Sequence, residues 1–519
     1  MNLSGMRVFD HADEVDVIVV GSGAGGAPLT ASLASAGLRV VVLEAGPNFE
    51  PGDHTPDETE AVDIIWMDER LSGGETPTAF GPNNSGRGVG GSTLHWGAFT
   101  PRPDARDMSF RRETGQGVDW PISPSELMPY VARVEQYLGV SGPSDYPWDP
   151  DRHYALPPVA RNASSEMMMR GCGALGIRAT DAPAAVVSQD WQQEGFGLRQ
   201  ACVNCGACHQ GCRNGAKVSM DTSYLPAALS CGAEIRADST VHTIETDESG
   251  AVTAVIYRRD GVDHRQRCAM LVLSAGGIET PRLLLHNALA NSTGQVGRKF
   301  MAHGGVQVWG RFDQLMRSYR GYPSSIISED MVRPLDAAFV GGYLMQSLGV
   351  MPLTFATTLI RGSSLWGPEL TEALEQYPYM AGIGINAECL PSDSNRLTLS
   401  DEVDEVDELG VPKAHVTFTA GENEKAIEAH AVTTMTNIVS AAGGSDILVL
   451  PRSAHTLGTC RMGETADVGV VDADGRSFDI PNLWICDTSV FPSSLTSNPG
   501  LTMMALSLRT ADAILSAAR

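Results

Sequence analysis

Short apolar runs, glycine-rich turns and amphipathic stretches follow one another along this chain, a pattern typical of an α/β protein. Residues 17–20 are apolar and lead directly into a glycine-rich segment at 21–26. A stretch of small residues follows, and then a second apolar run at 40–43 ends at the acid Glu44. This order predicts a strand, a tight turn, a helix and a second strand, arranged as a βαβ unit.

The remaining elements are predicted from the same two periodicities. Helical spacing of apolar residues predicts helices over 119–140 with a serine cap, from Thr280 onwards, over 422–441 and over 498–517. Alternating or continuous apolar runs predict strands within 233–274, at 396–399, at 414–418 and at 483–486. The acidic residues between the runs 396–399 and 414–418 lack the spacing of a calcium-binding loop. They predict the tip of a hairpin instead. Residues 49–80 are rich in proline and acids, which predicts an extended excursion.

The segment 16–46 has the full context of a dinucleotide-binding fingerprint. Gly21 permits the tight turn, Gly23 lets the backbone approach a pyrophosphate, and Gly26 lets the helix lie close to the sheet. The N-terminus of the helix offers free N–H groups to the phosphates. Glu44 follows the second strand, where a carboxylate can accept hydrogen bonds from an adenosine ribose. The alternative is a glycine turn followed by a solvated glutamate.

Length and charge limit the possible classes of protein. A chain of 519 residues predicts two or three domains. The formal net charge of −25 argues against binding to nucleic acid and to anionic membrane surfaces. No apolar run approaches the ~18–20 residues that span a bilayer, and the N-terminus has no apolar signal core. We therefore expect a cytoplasmic protein without a membrane span or a nucleic-acid partner, of unknown oligomeric state.

Several further motifs occur in a characteristic order. They are Gly90-Gly91-Ser92-Thr93 preceded by Gly86-Arg87, Gly276 to Leu284, His455 to Gly463, Asp487 to Pro492, and Ser497 to Thr502. With the fingerprint, they make the chain resemble the glucose–methanol–choline (GMC) oxidoreductases over nearly its whole length. Gly277 and Asn287-Ala288 depart from the usual family pattern, so the second motif is a weaker match.

The resemblance implies an α/β (α+β) fold with two domains, as in the GMC and p-hydroxybenzoate hydroxylase architecture. A Rossmann-like FAD-binding domain is expected from residues 1–48, 82–120, 200–300 and 450–519. A strand-rich substrate-binding domain with its excursions is expected from residues 49–81, 121–199 and 301–449. The choice of FAD over NAD as cofactor comes from the resemblance, because the fingerprint alone does not decide it.

His455 and Asn498 are the predicted catalytic residues. Oxidation of an alcohol removes a proton from oxygen and a hydride from carbon, so a base must lie within hydrogen-bond reach of the hydroxyl. The resemblance assigns that role to His455, with hydride transfer to flavin N5, although a lone histidine can also be structural. Asn498 can donate to the substrate oxygen but cannot take a proton, and it can also cap the final helix.

The resemblance places further residues beside the flavin: Gly91, Ser92, His95, Trp96, Asp487 and Pro499. His95 either packs against the flavin or is joined to it covalently, as a histidine in a similar context is in some members. Asp487 either accepts a hydrogen bond from a ribityl hydroxyl or is an ordinary acid at the end of a strand.

Cys202, Cys205, Cys208 and Cys212 have the spacing of the bacterial ferredoxin run, without the proline that normally follows. Some FAD glucose dehydrogenases of the family carry an iron–sulfur cluster at this place, so the resemblance makes such a cluster one candidate here. Zinc, a local disulfide or uncoordinated thiols are the alternatives.

The predicted function is FAD-dependent oxidation of a CH–OH group to a carbonyl, with a sugar or glycoside as the preferred substrate. Aromatic or aliphatic alcohols are the competing substrates, and oxygen or another electron acceptor would take the electrons, so both oxidase and dehydrogenase stay open. A flavin-containing lyase without net redox is the alternative of another class. A structural or electron-transfer subunit fits poorly with His455 and Asn498.

Overall fold

The computed structural model describes residues 1–67, 70–78, 85–335 and 337–518. The strands of the described residues are β1 (Glu14–Val20), β2 (Val40–Leu43), β3 (Leu71–Gly73), β4 (Thr180–Asp181), β5 (Trp191–Gln193), β6 (Gly197–Arg199), β7 (Glu234–Arg236), β8 (Thr240–Thr246), β9 (Val252–Arg259), β10 (Val262–Leu273), β11 (Met301–Arg311), β12 (Ile326–Ser328), β13 (Tyr343–Leu348), β14 (Met380–Ala387), β15 (Arg396–Leu399), β16 (Ala414–Thr417), β17 (Ser445–Leu457) and β18 (Leu483–Ile485). The α-helices are α1 (Gly26–Ser35), α2 (Phe110–Thr114), α3 (Pro124–Leu138), α4 (Ala163–Leu175), α5 (Tyr224–Ser230), α6 (Gly276–His286), α7 (Pro352–Gly362), α8 (Gly367–Glu375), α9 (Glu422–Ala441) and α10 (Pro499–Ala517). Short 3₁₀ helices occur at Pro51–Asp53, Ala61–Ile64, Gly91–Leu94, Ala105–Ser109, Cys208–Gln210, Met220–Thr222, Tyr377–Tyr379 and Thr488–Val490.

The first sheet has the order β7-β2-β1-β10-β9-β8 within the described residues, and β18 also pairs with β10. Strands β7, β2, β1, β10 and β18 run parallel, whereas β9 is antiparallel to β10 and β8. Strands β1 and β2 are almost continuously apolar because the core covers both faces of a parallel sheet. The carboxyl ends of these parallel strands lie along one edge, where open α/β sheets bind their ligands.

The second sheet has the order β17-β11-β14-β13-β12-β4 and is antiparallel among the pairs of the described residues. One face packs on α4 and α9 through apolar side chains that include Val308, Ile383 and Ile438. Residues of the other face, among them Gln307, Leu348 and Arg452, line a cavity. The predicted α/β fold class is therefore confirmed: a largely parallel sheet lies beside a strand-rich unit.

Several predicted elements are confirmed and two are corrected. Helix α9 occupies 422–441 as expected, and α3 begins after Ser123, which forms a capping box with Glu126. Strands β15 and β16 pair antiparallel, so the acidic segment between them is the tip of a hairpin. Helix α6 begins at Gly276 rather than Thr280, because the carboxylate of Asp487 accepts the Gly276 N–H at 3.0 Å and holds the chain end there.

The described part of 49–80 contains two 3₁₀ helices and β3, which pairs in parallel with β16, so the prediction of an extended excursion is wrong there. The domain limits stay a prediction. Strand β17 runs across the limit at 449/450 and pairs with β11 in the second sheet. The limit at 81/82 lies outside the described residues. Among the described helices, none is both long and apolar enough to cross a membrane.

Candidate active site

A cavity of about 730 Å³ lies between the carboxyl edge of the first sheet and the second sheet. This volume is within the range of small-molecule and cofactor sites. The structure brings nearly all of the predicted cofactor and catalytic residues to its wall: Gly21, Gly23, Glu44, Gly91, Ser92, His95, Trp96, His455, Asp487, Asn498 and Pro499. Gly26 lies just behind the wall as the first residue of α1.

The glycine turn after β1 is packed against two other segments of the chain. A Cβ on Gly91 would lie 2.7 Å from the Cα of Gly23, so the predicted phosphate loop and the 90–93 motif are in backbone contact. A Cβ on Gly25 would lie 1.8 Å from the carbonyl oxygen of Cys486, directly after β18. Sequence reasoning missed Gly25, because its requirement comes from a strand more than 450 positions away.

The two acids at the sheet edge are fully engaged by the protein. Glu44 accepts hydrogen bonds from Ser22 Oγ at 2.7 Å and from the backbone N–H groups of Ser22, Gly46 and Gly88. Burial nevertheless raises its pKa above the ordinary range. Asp487 accepts from Thr280 Oγ1 at 2.5 Å and from the N–H groups of Gly276 and Ser489, and burial raises its pKa too. Both carboxylates therefore shape the backbone around the cavity.

The loop that carries His95 and Trp96 is held by a buried lysine. Lys217 Nζ donates to the carbonyl oxygens of Leu94 at 2.6 Å, Cys208 at 2.8 Å and Trp96 at 3.2 Å. His95 itself is buried, and its Nε2 has no hydrogen-bond partner among the described residues. Burial lowers the pKa of His95 to about 3, so its imidazole is neutral at physiological pH.

A backbone irregularity turns His455 into the cavity. Between the pairs Met301–Leu457 and His303–Ala454, strand β17 has one residue more than β11, which is a β-bulge. His455 lies in this bulge with a φ of +63°, a left-handed conformation that is uncommon for a residue with a side chain. Strain of this kind persists where the surrounding structure enforces it, as in active sites.

His303 fixes the protonation state of His455. The carbonyl oxygen of Leu495 can only accept, so His303 Nε2, at 2.9 Å, carries a hydrogen and donates it. Burial lowers the pKa of His303 to about 4, so its Nδ1 is unprotonated and accepts from His455 Nδ1 at 2.7 Å. His455 therefore carries its hydrogen on Nδ1, and its Nε2 presents a lone pair.

Burial lowers the pKa of His455 well below its ordinary value, and the positive charge of Arg452 lowers it further. The ring lines the cavity and is only partly buried. It makes no hydrogen bond through Nε2 to any residue that the structure describes. The imidazole is thus neutral at pH 7 and can accept one proton.

Asn498 is oriented by a second buried amide. Asn386 Nδ2 donates to Asn498 Oδ1 at 2.7 Å, which leaves the Asn498 Nδ2 group free to donate into the cavity. Asn498 is the N-cap residue of α10, as the sequence allowed, but its side chain makes no capping hydrogen bond to the helix. His303 and Asn386 gave no signal in the sequence, since they lie 152 and 112 positions from their partners.

The four cysteines do not form a metal site. Among the described residues, no group of three or more His, Cys, Asp or Glu side chains is placed to hold a metal ion. Cys208 is buried, Cys205 is exposed, and Cys212 Sγ accepts the backbone N–H of Lys217 at 3.2 Å. Cys202 is likewise a free thiol, and no disulfide joins these four described residues. The iron–sulfur prediction and the zinc alternative are therefore not supported.

The cradle fits a dinucleotide that carries a flavin. The turn at 21–25 and the N-terminus of α1 supply backbone N–H groups at the phosphate end. The space at the contact of Gly23 and Gly91 would be filled by any side chain, and His95, whose Nε2 has no hydrogen-bond partner among the described residues, also lines the cavity. A dinucleotide fold with a base, an amide donor and a neutral histidine beside it is typical of an oxidoreductase that uses a dinucleotide cofactor.

The chain belongs to the GMC oxidoreductase family. Family models described as GMC oxidoreductase match residues 18–304 and 391–507. This membership confirms the predicted family and makes the protein an FAD-dependent oxidoreductase that acts on CH–OH donors.

The sequence is similar to that of characterised bacterial dehydrogenases. The 2-methyl-1,2-propanediol dehydrogenase of Mycolicibacterium austroafricanum is 30% identical, with 97% of this chain and 95% of the relative covered. The fructose dehydrogenase large subunit of Gluconobacter japonicus is 29% identical, with 96% and 97% covered.

Solved structures share the fold. Pyridoxine 4-oxidase from Mesorbium loti has a TM-score of 0.68 at 16% identity, with 97% of this chain and 99% of that chain covered. Formate oxidase from Aspergillus oryzae RIB40 has a TM-score of 0.66 at 13% identity, with 98% and 99% covered.

Proposed function

We propose that the chain oxidises a CH–OH group of an alcohol or sugar to a carbonyl, with His455 as the base and Asn498 as the donor to the reacting oxygen. The single observation that carries this proposal is the hydrogen-bond chain from Leu495 through His303 to His455. It leaves the Nε2 lone pair of a neutral imidazole on the cavity wall. A lone pair there is what alcohol activation requires.

The residues act in a simple sequence. Nε2 of His455 accepts the hydroxyl proton, and the resulting imidazolium donates through Nδ1 to His303 Nδ1. That hydrogen bond becomes charge-assisted and therefore stronger as the proton arrives. Asn498 Nδ2 donates to the substrate oxygen while negative charge develops on it. FAD, when bound, supplies the two-electron acceptor for the hydride that leaves carbon.

Sugars or glycosides stay the preferred substrates in this proposal, and small diols are the nearest competitors. The relatives named above, a propanediol dehydrogenase and a fructose dehydrogenase large subunit, support both groups. Among solved structures of the same fold, pyridoxine 4-oxidase extends the range of candidate substrates to another alcohol.

An anaerobic flavin-reduction screen tests the proposal. Purified holoenzyme is mixed with sugars, glycosides, diols, benzylic alcohols and hydroxy acids, and bleaching of the oxidised flavin band is recorded. We expect saturable bleaching by at least one group and formation of the matching carbonyl product. A holoenzyme whose flavin is reduced by dithionite but by none of these compounds would contradict the proposed function.

A further inference from the structure

A guanidinium group that pairs with no acid in the described ranges lies on the floor of the cavity. Arg452 is on β17, opposite Gly305 of β11, and its side chain is partly buried and lines the cavity. No carboxylate of the described residues forms an ion pair with it. Its neighbour is Gln346, whose amide oxygen, turned towards the guanidinium, accepts from Nη1 at 2.7 Å and from Nη2 at 3.2 Å.

Several other charged residues of the same cavity have partners within the protein. Arg282 donates to Glu279 at 3.0 Å and to Asp407 at 2.7 Å. Arg70 also pairs with Glu279, at 2.9 Å. Glu58 accepts from two backbone N–H groups at the start of α7. Arg452 differs from this set because nothing in the described protein neutralises it.

Burying a charge without an opposite charge nearby disfavours the charged form of the side chain. Burial alone lowers the pKa of Arg452 to about 10, with no acid to raise it. Nearby imidazoles do not add charge, because burial lowers the pKa of His209 to about 4 and that of His455 well below its usual value. The floor of the cavity therefore presents one positive charge.

We propose that Arg452 binds a carboxylate on the substrate, so that this enzyme oxidises hydroxy acids or acidic sugars. The inference rests on the proposed function and names the substrate class for the same site. A guanidinium presents a planar fork that matches a carboxylate. A single cation among neutral groups balances the single charge of a carboxylate better than the double charge of a phosphate monoester. Gln346 occupies the Nη1–Nη2 edge of the guanidinium, which leaves the Nε–Nη2 edge for the carboxylate.

Matched acids and amides test this inference. Glycolate, 3-hydroxypropionate and 4-hydroxybutyrate are each compared with their amides, which have the same length but no charge, in anaerobic flavin-reduction kinetics. For at least one length, we expect the acid to exceed its amide about tenfold or more in the ratio of reduction rate to Kd. R452Q should bring that ratio close to one, whereas R452K should keep part of it. R361Q, which alters an exposed arginine on the cavity rim, should leave the ratio unchanged.

A binding measurement separates this inference from the proposed function. Isobutyrate and isobutyramide have no CH–OH group, and their Kd values follow from perturbation of the bound flavin spectrum. We expect R452Q to weaken isobutyrate about tenfold and to leave isobutyramide unchanged. If no hydroxy compound reduces the flavin, the proposed function fails, while this titration still decides whether Arg452 binds a carboxylate.

Two results would overturn the inference. The first is equal reduction by acids and amides in the unaltered enzyme, with isobutyrate binding unaffected by R452Q. The second is an equal loss for acids and amides in R452Q together with a changed flavin spectrum, which would place the guanidinium on the flavin instead of the substrate.

Discussion

The two ends of the cavity are stabilised in different ways. At the cofactor end, which comprises the turn 21–26, Glu44 and Asp487, both carboxylates are satisfied by protein N–H and O–H groups. At the reaction end, which comprises His455, Asn498 and Arg452, each side chain is held by a single partner residue and lines the cavity. The first end is a rigid backbone cradle, whereas the second presents a lone pair, a donor and a charge.

The difference indicates where substitutions should act. At the cofactor end, the backbone itself approaches the ligand, so added atoms should damage folding and FAD binding. At the reaction end, each partner sets a protonation state or an amide orientation, so substitutions should change rates while the fold persists. The following predictions test this division.

The largest effect is expected for H455A. Loss of the base should slow flavin reduction by about 10²- to 10⁴-fold, because base catalysis contributes that much to proton removal. FAD content should stay unchanged, since His455 is outside the cofactor end. H153A, at an exposed histidine, is the control and should match the unaltered enzyme. A rate for H455A within tenfold of the unaltered enzyme would remove His455 from the proposed role.

A smaller effect is expected for His303. H303F removes the acceptor for His455 Nδ1, and loss of a hydrogen bond to a charged group costs about 1.5–3 kcal/mol, or roughly 10- to 150-fold in rate. H303N places an oxygen near the former position of Nδ1 and should recover much of the rate. Stopped-flow measurement of flavin reduction across pH supplies the second readout. H303F should also shift the acid limb of the pH–rate profile to lower pH.

Equal rates in H303F and H303N would show that His303 serves packing alone. An unchanged acid limb of the pH–rate profile in H303F would also indicate a packing role, since the imidazolium of His455 would then lose no hydrogen-bond partner.

A folding effect is expected at the cofactor end for G25A. Its Cβ would overlap the carbonyl oxygen after β18, so strands must shift, at a cost of about 1–3 kcal/mol. G173A adds a Cβ in helix α4 where nothing lies within 4 Å and should be neutral or stabilising by up to about 1 kcal/mol. Chemical denaturation of both variants, with FAD content measured beside it, checks the contrast. If G25A were as stable as G173A and kept its FAD, the cradle would be less rigid than its contacts indicate.

The mildest effect concerns pH. His455 acts as a neutral base and burial holds its folded pKa well below 6.5, so it stays active as pH falls through 6.5 and loses activity only once pH approaches that lowered pKa. Flavin reduction at pH 6.5 should therefore be within about twofold of its value at pH 8. Kinetics of reduction between pH 5 and 8 measure this. An acid limb centred at or above 6.5 would mean that the imidazole is solvated or paired with an acid.

The fold was predictable wherever neighbouring residues carry the information. The apolar runs at 17–20 and 40–43, the glycine turn between them and the spacing within 422–441 depend on local periodicity, and the structure confirms them. The start of α6 was misplaced because Asp487, more than 200 positions later, binds the first N–H of that helix. The iron–sulfur prediction for the cysteine run has no support in the structure, because spacing alone cannot report that its thiols differ in exposure.

The sequence by itself determined the family, the dinucleotide turn and the motif residues that line the cavity, because these depend on short motifs with their own backbone requirements. Only the tertiary structure decided the bulge that turns His455 inward, the ring nitrogen that keeps its hydrogen, the orientation of Asn498 and the absence of an acid beside Arg452 among the described residues. These properties arise from contacts between strands far apart in the chain, and a hydrogen bond's direction is set by which partner lies opposite.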